Sequence, residues 1–172
     1  MTPRTGLIVL GLLGATGCGG PRAEQPMPAV PVTGGRGDIR MIAGYWQGEF
    51  VSARDSRRGT IAFRLQAGRD TAYGRVVLTG PIPPPGCTDP LSAATEPREI
   101  GEIELTLARV NVGGESVGGW LRPYPDPELG CRMDTWFEGR IDGDTLEGLY
   151  FAHPADTAGA MRLGTWWAAR RR

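Results

Sequence analysis

Few side chains in this sequence have the types and spacing that catalysis or metal binding requires. His153 is the single histidine, and no serine is placed to form a nucleophilic triad with it and the nearby Asp156. The sequence has no Cys-x-x-Cys pair, so a metal site built from cysteines and histidines is not expected. We therefore predict no catalytic residues, no metal site and no bound cofactor.

The carboxylates and the cysteines support the same conclusion. Glu102 and Glu104 fall on the outer face of one predicted strand, and Glu138 falls on the outer face of another. Carboxylates in such positions are typical of a solvated surface. Cys131 lacks an obvious histidine base for nucleophilic chemistry, and a disulfide with Cys87 is the simpler interpretation. The expectation is a protein that is not an enzyme.

The third cysteine, Cys18, ends an apolar stretch near the N-terminus. One basic residue, Arg4, precedes an apolar run at residues 7–13, and the small-residue sequence Ala-Thr-Gly-Cys follows at 15–18. A basic start, a short apolar region and a small-residue exit form the layout of an export signal. The apolar run is too short for a transmembrane helix, which needs roughly 20 residues.

This small-residue exit resembles the lipobox of bacterial lipoproteins, a family in which the cysteine is acylated and becomes the first residue of the mature chain. The resemblance implies a signal peptide over residues 1–17, a lipid anchor on Cys18 and a location in the cell envelope. With Gly19 beside the cysteine, it further implies transfer to the outer membrane. Residues 18–40 hold several prolines and almost no large apolar side chains, so we predict a flexible Pro/Gly-rich tether there.

The remaining chain, residues 41–170, is long enough for one domain with a single core. The whole sequence has 19 basic and 19 acidic residues, so its charge implies neither a nucleic-acid partner nor attraction to an anionic membrane surface. With Cys18 acylated, Cys87 and Cys131 form an even pair in an exported protein. That pairing predicts a disulfide.

Alternating apolar and polar residues predict strands in this domain. The clearest signal is a pair of alternating runs around Asp142-Gly143-Asp144, which is typical of a hairpin. Runs of this kind predict eight strands, at residues 45–52, 60–66, 71–79, 101–110, 115–122, 131–141, 145–151 and 161–169. Because no segment shows convincing helical periodicity, we predict an all-β domain.

The connections between the predicted strands alternate in length. The second, fourth and sixth connections are short, whereas the first, third, fifth and seventh are longer and include two proline-rich loops. In an up-and-down meander, alternate connections share an end, so the long loops with Cys87 and Cys131 gather at one rim. We predict an eight-stranded antiparallel meander barrel, which leaves no exposed strand edge.

Gly44-Tyr45-Trp46 resembles the G-x-W signature that opens the first strand of the lipocalins and other calycins. In those families the Trp closes the barrel floor, and an Arg just past the last strand packs over it. Arg170 occupies the matching place in this sequence. The resemblance implies a calycin-like barrel with a floor formed by Gly44, Trp46 and Arg170.

The same alternation assigns side chains to the barrel interior. The candidate ligand-cavity residues are Phe50, Phe63, Gly74, Leu105, Gly119, Phe137, Gly139, Gly148 and Tyr150. In the last strand, Leu163 and Trp167 are expected to point inward. The interior glycines have two interpretations: they let the strands curve around a filled core, or they leave room for an apolar ligand.

Two functions from different classes are consistent with these features. The first is a lipid-anchored envelope barrel that binds a small apolar ligand through the long-loop mouth. The alternative is a non-enzymatic interaction or inhibitor module, whose protein partner docks on the proline-stiffened and disulfide-linked loops of the rim. A hollow interior favours the first function, and a solid interior favours the second.

Overall fold

The computed structural model describes residues 26–53, 58–68, 72–83, 86–87, 99–127, 129–156 and 161–172. Within these ranges the chain forms eleven strands and one short helix. In chain order the elements are β1 (Ala29–Val30), β2 (Val32–Thr33), α1 (Arg36–Ile42), β3 (Gly44–Ser52), β4 (Arg58–Ala67), β5 (Ala72–Pro81), β6 (Ile100–Leu105), β7 (Leu107–Gly113), β8 (Ser116–Pro125), β9 (Arg132–Asp142), β10 (Thr145–Pro154) and β11 (Arg162–Arg171).

Strands β3 to β11 curl into a nearly closed barrel. The sheet runs in the order β5, β4, β3, β11, β10, β9, β8, β7, and β6 pairs with the other side of β5. The first and last barrel strands pair antiparallel, with Trp46 of β3 opposite Arg170 of β11. The all-β barrel predicted from the sequence is therefore confirmed.

The hairpin predicted around Asp142 joins β9 to β10. Gly143 lies between the two strands with a φ of 58°, a left-handed conformation that glycine adopts without a steric penalty. The hydroxyl of Thr145 donates to the carbonyl of Asp142 over 2.8 Å and closes the turn. The alternating pattern on either side then pairs in register, from Thr145 opposite Asp142 to Pro154 opposite Met133.

The predicted strand count of eight is wrong, partly because the fourth predicted strand is two strands. β6 pairs with β5, whereas β7 leaves β5 and pairs with β8. The break at Thr106 is invisible in the hydrophobic pattern, because Leu105 and Leu107 on either side are both buried and keep the same alternation. Beyond Leu121, β8 pairs with β9, and the backbone N–H of Arg122 donates to the carbonyl of Thr106 over 2.8 Å at the break between β6 and β7.

The other additional strands lie in the segment expected to be a tether. The described part of that segment, residues 26–40, contains β1, β2 and most of α1 rather than an extended linker. β1 pairs antiparallel with β5 and β2 pairs parallel with β7, so this segment fills the space where β7 diverges from β5. The parallel pair makes the topology mixed, which corrects the expectation of a pure meander.

The N-terminal segment is held by burial as well as by hydrogen bonds. Val30 is fully buried in the barrel core. Pro31 has no N–H group, but its carbonyl accepts a hydrogen bond from the backbone N–H of Val110 over 3.0 Å. The folded domain therefore begins upstream of residue 41, the boundary predicted from composition.

The last strand faces the opposite way from the prediction. Trp166 and Ala168 of β11 are buried, whereas Leu163 and Trp167 are 41% and 46% exposed. Since two adjacent tryptophans fit either face, a shift of one residue in the assigned alternation exchanges the two faces. No helix in the described ranges has the length and apolar character needed to span a membrane.

Candidate ligand-binding site

Arg170 closes the end of the barrel that carries the turn between β9 and β10, which we call the short-turn end. Its guanidinium lies over the ring of Trp46, 4.3 Å from the ring centre. It also donates hydrogen bonds to the carbonyls of Met41 and Ala43 at the end of α1, and to Asp144 over 2.8 Å. A cation is favourable at a helix C-terminus, where carbonyl groups lack partners. The arginine therefore holds α1 and the indole together as one floor.

Two further contacts complete the floor. The indole N–H of the fully buried Trp46 donates to the carbonyl of Ile42 over 2.9 Å. Gly44 has a φ of 133°, and a Cβ at this position would stand 2.9 Å from the Arg170 guanidinium. Glycine is thus needed here for both backbone conformation and space. The packing of Arg170 on Trp46, expected from the sequence, is present.

Above the floor the barrel encloses a cavity of about 140 Å³. Every strand from β3 to β11 contributes at least one residue to its lining, which includes several aromatic rings. The principal apolar lining residues are Ile42, Phe50, Ile61, Phe63, Leu65, Val76, Leu78, Leu105, Leu107, Val110, Val117, Leu121, Phe137, Leu146, Tyr150 and Trp166. The interior is hollow and largely apolar.

Five of the nine predicted cavity residues line this space: Phe50, Phe63, Leu105, Phe137 and Tyr150. The four predicted glycines do not. They lie where another group already occupies the space that a side chain would need, so they allow close approach and strand curvature rather than vacancy. The groups nearest to a Cβ built on Gly74, Gly119, Gly139 and Gly148 are the side chain of Leu65 and the backbone carbonyls of Arg109, Glu147 and Glu138, respectively.

A buried ion pair lies at the end of the cavity opposite the floor, which carries the turn between β8 and β9 and which we call the long-loop end. Arg162 of β11 donates to Asp126, just past β8, over 3.0 Å, and their side chains are 10% and 9% exposed. The other carboxylate oxygen of Asp126 accepts from the backbone N–H of Leu129 over 2.9 Å, which shapes the turn between β8 and β9. Since both charges are paired, the site avoids the high cost of an isolated buried charge.

Two hydroxyl groups meet beside this ion pair. The Thr135 hydroxyl donates to the phenol oxygen of Tyr124 over 3.2 Å, and both residues line the cavity. Burial raises the pKa of Tyr124 to about 12, because the phenolate form would lose its hydration. The phenol therefore stays protonated to a higher pH than a tyrosine with the ordinary pKa of 10.0.

The disulfide lies at the same end. Cys87 and Cys131 are bonded, which confirms the predicted pair, and their Cα atoms are 4.4 Å apart. The Cys131 carbonyl accepts a hydrogen bond from the backbone N–H of Asp126 over 2.7 Å. The bond therefore ties the segment after β5 to the turn that carries the buried ion pair.

The polar side chains of the cavity were missed by the sequence analysis. Ser52, Asp126, Thr135 and Arg162 are all buried and all line the cavity. Their only signal in the sequence is a polar residue at an inward position near the end of a strand. Cys18 lies outside the described residues, and the described ranges contain no group of three potential metal ligands.

Comparisons of this chain with protein-family models, with curated proteins and with solved structures found no match.

Proposed function

We propose that this protein is a lipid-anchored barrel of the cell envelope that binds one small apolar molecule inside the barrel. The observation that carries the proposal is the cavity of about 140 Å³ with its mainly aliphatic and aromatic lining. An apolar cavity of about 150 Å³ in a protein stays dry and accommodates one benzene molecule. The size therefore favours a ligand with a single ring or an equally small branched group.

Burial supplies the driving force for such a ligand. Each methylene group transferred from water to an apolar site contributes about 0.8 kcal/mol. Water gains little by entering the lower part of the cavity, where Phe63, Val76 and Leu105 offer no hydrogen-bond partner. Because Trp46 and Arg170 close the floor, the ligand enters from the opposite, long-loop end of the barrel.

The calycin-like character of the barrel and its lipid anchor are part of the same proposal. The floor contact between Trp46 and Arg170 supports the calycin-like assignment. The lipobox-like sequence that ends at Cys18 supports the anchor and a location at the outer membrane. The anchor supplies the membrane partner, and the ligand enters from the surrounding compartment.

A matched pair of variants tests the cavity. Val76 lines it, whereas its neighbour Val77 lies on the outer face of the same strand. Val76→Phe adds a ring to a cavity that holds about one ring, and Val77→Phe adds the same ring outside. Benzene should raise the melting temperature of the wild type and of Val77→Phe, because a ligand that binds only the folded state stabilises it.

Benzene should leave the melting temperature of Val76→Phe at its own ligand-free value. Absence of a shift in the wild type near the aqueous solubility limit of benzene would contradict the proposal, as would an undiminished shift in Val76→Phe. Native mass spectrometry of protein purified from its own envelope would then identify the ligand that it carries in the cell.

The disulfide between Cys87 and Cys131 supports a second candidate function. A rim linked in this way loses less entropy on docking a protein partner, which supports an interaction or inhibitor module. The hollow interior favours the ligand over this alternative, since a module that acts through its rim does not require a cavity. Partner binding that is equal in Val76→Phe and the wild type, without benzene binding, would support the rim function.

A further inference from the structure

The outer face of the barrel carries a row of apolar side chains across four neighbouring strands. Trp120 pairs in register with Trp136, Trp136 pairs with Phe151, and Phe151 pairs with Leu163. Trp120 and Leu163 are each 41% exposed, and the two rings between them are half-buried. Met161, which is 57% exposed, lies two residues before Leu163 and extends the row. We call these five residues the apolar band.

The rings of the apolar band are held in place by their neighbours. Trp136 stacks on Phe151 with the ring centres 4.9 Å apart, and His153 contacts Trp136 edge-on at 6.2 Å. The guanidinium of Arg109 lies 4.4 Å from the centre of the Trp120 ring. Side chains that are fixed before binding lose less entropy when a partner covers them. The band is therefore a preformed surface.

The residue types of the band suit the interface between a bilayer and water. Tryptophan is enriched at that interface, because its ring is apolar and its N–H group is polar. An arginine beside it, as Arg109 is beside Trp120, keeps its charge in water while its stem covers apolar surface. Asp134 and Glu138 flank Trp136 on the same face of β9, so an anionic surface is not favoured. These features indicate a neutral lipid surface.

The size of the band argues against a protein partner. An aromatic side chain has a surface of about 150–250 Å², so five side chains with these exposed fractions present roughly 450 Å² or less. A stable protein interface buries about 800 Å² on each partner, which excludes a stable complex through the band alone. A weak contact is sufficient, however, when a second attachment holds the two surfaces close together.

The proposed lipid on Cys18 is such an attachment. Cys18 is eight residue steps from Pro26, and that length of chain reaches at most about 26–29 Å. β1 runs antiparallel to β5, so the chain upstream of Pro28 leaves β1 in the direction of the long-loop end. Met161 and Leu163 lie at the same end, at the start of β11. The anchor and the band therefore lie close enough to contact one bilayer.

We propose that the apolar band rests on the surface of the bilayer to which the N-terminal lipid attaches the protein. This inference rests on the proposed lipid anchor, and it adds a second, non-covalent membrane contact that fixes the orientation of the barrel. Because the band lies on the outer wall, this contact leaves the long-loop end open for ligand entry.

Two exposed methionines report on this orientation. Met161 belongs to the band, whereas Met41, which is 40% exposed, lies at the short-turn end. The acylated full chain on phosphatidylcholine vesicles is treated with chloramine-T, a water-soluble oxidant that converts methionine to its sulfoxide, and peptide mass spectrometry follows each residue. Met161 should be oxidised severalfold more slowly on vesicles than in soluble Cys18→Ser, because lipid covers it. Met41 should be oxidised at the same rate in both.

A matched pair of double variants tests whether the band makes the contact. Trp120→Gln/Leu163→Gln should stay on the vesicles through its acyl chains but lose the protection of Met161. Tyr45→Gln/Trp167→Gln removes two side chains that are 44% and 46% exposed outside the band, and it should keep the protection. Each rate is compared with that of the same variant carrying Cys18→Ser, which cancels local changes in structure.

The outcomes separate this inference from the proposed function. Protection of Met41 instead of Met161, or of neither, would overturn the inference and leave the anchor standing, as would protection that persists in Trp120→Gln/Leu163→Gln. Protection of Met161 in concentrated Cys18→Ser without vesicles would identify a second copy as the occupant and would also overturn it. A wild type that does not bind vesicles would overturn the anchor and the inference together, whereas benzene binding would still test the cavity.

Discussion

At the scale of single residues, Arg170 connects more parts of the molecule than its sequence position suggests. It joins the ring of Trp46, the last carbonyls of α1 and the carboxylate of Asp144. Arg170→Ala removes these contacts and leaves carbonyls at the helix end without a donor. We expect the free energy of unfolding to fall by about 2–4 kcal/mol, the sum of charge-assisted hydrogen bonds and a cation–π contact.

Urea denaturation of Arg170→Ala beside Arg171→Ala measures this difference. Arg171 is the exposed neighbour in β11, so its replacement removes a similar positive charge without the floor contacts. Its free energy of unfolding should stay within about 0.5 kcal/mol of the wild type. Equal losses in the two variants would show that the floor does not depend on Arg170.

The buried phenol of Tyr124 should make the stability of the folded protein depend on pH. Its pKa in the folded protein is about 12, above the ordinary value of 10.0, because burial disfavours the phenolate. The folded state therefore binds more protons than the unfolded state between these two values. Stability from this group is complete below pH 10 and is lost as the pH rises toward 12.

Spectroscopic titration of tyrosinate absorbance tests this expectation. The titration of the wild type should include an ionisation step near pH 12 that is missing from Tyr124→Phe. The wild type should also lose stability more steeply than Tyr124→Phe between pH 10 and 12. Coincident titration curves for the two proteins would rule out a buried, neutral phenol at this position.

Single residues also mark what the sequence could and could not predict. Cys87, Cys131, Trp46 and Arg170 could be assigned because their chemistry depends on residue type and on which end of the barrel they occupy. Ser52 could not be assigned in this way, because a serine at a strand end is ordinary in sequence. Its burial and its place in the cavity wall depend on neighbours that lie far away in the sequence.

At the scale of elements, the segment β1–Pro31–β2 shows how a short strand escapes prediction. Two-residue strands have no alternation to detect, and the prolines around them suggest a linker. Their stability comes from the space between β5 and β7 that they fill, which is a property of the barrel rather than of the segment. The same reason explains the missed α1, since a helix of seven residues depends on its packing at the floor.

Val30→Ala tests whether this segment is part of the folded core. Val30 is fully buried, so removing two methyl groups should lower the free energy of unfolding by roughly 2 kcal/mol. Val51→Ala, on the outer face of β3, is the control and should cost less because its side chain is partly exposed. Denaturant titration gives both values. A cost for Val30→Ala no larger than for Val51→Ala would indicate a segment that is not packed as described.

At the scale of the whole molecule, the folded N-terminal segment shortens the distance between the barrel and its proposed anchor. Seven residues lie between Cys18 and Pro26, the first described residue, so the two are eight residue steps apart, whereas the sequence predicted a domain start at residue 41. Eight such steps of fully extended chain reach at most about 26–29 Å. If Cys18 carries acyl chains, Pro26 at the start of the described domain lies within that distance of the membrane.

Cys18→Ser is the variant that tests this arrangement. Several acyl chains together hold a protein stably on a bilayer, so their loss should move the protein from the membrane fraction to the soluble fraction after cell disruption. The double variant Cys87→Ser/Cys131→Ser is the control, because it removes two cysteines and the disulfide but leaves Cys18 in place. It should remain in the membrane fraction, although with a lower melting temperature. Retention of Cys18→Ser in the membrane fraction would require a different means of attachment. Cys18→Ser that has been released into the soluble fraction should still bind benzene, because the cavity and its floor lie entirely within the barrel domain.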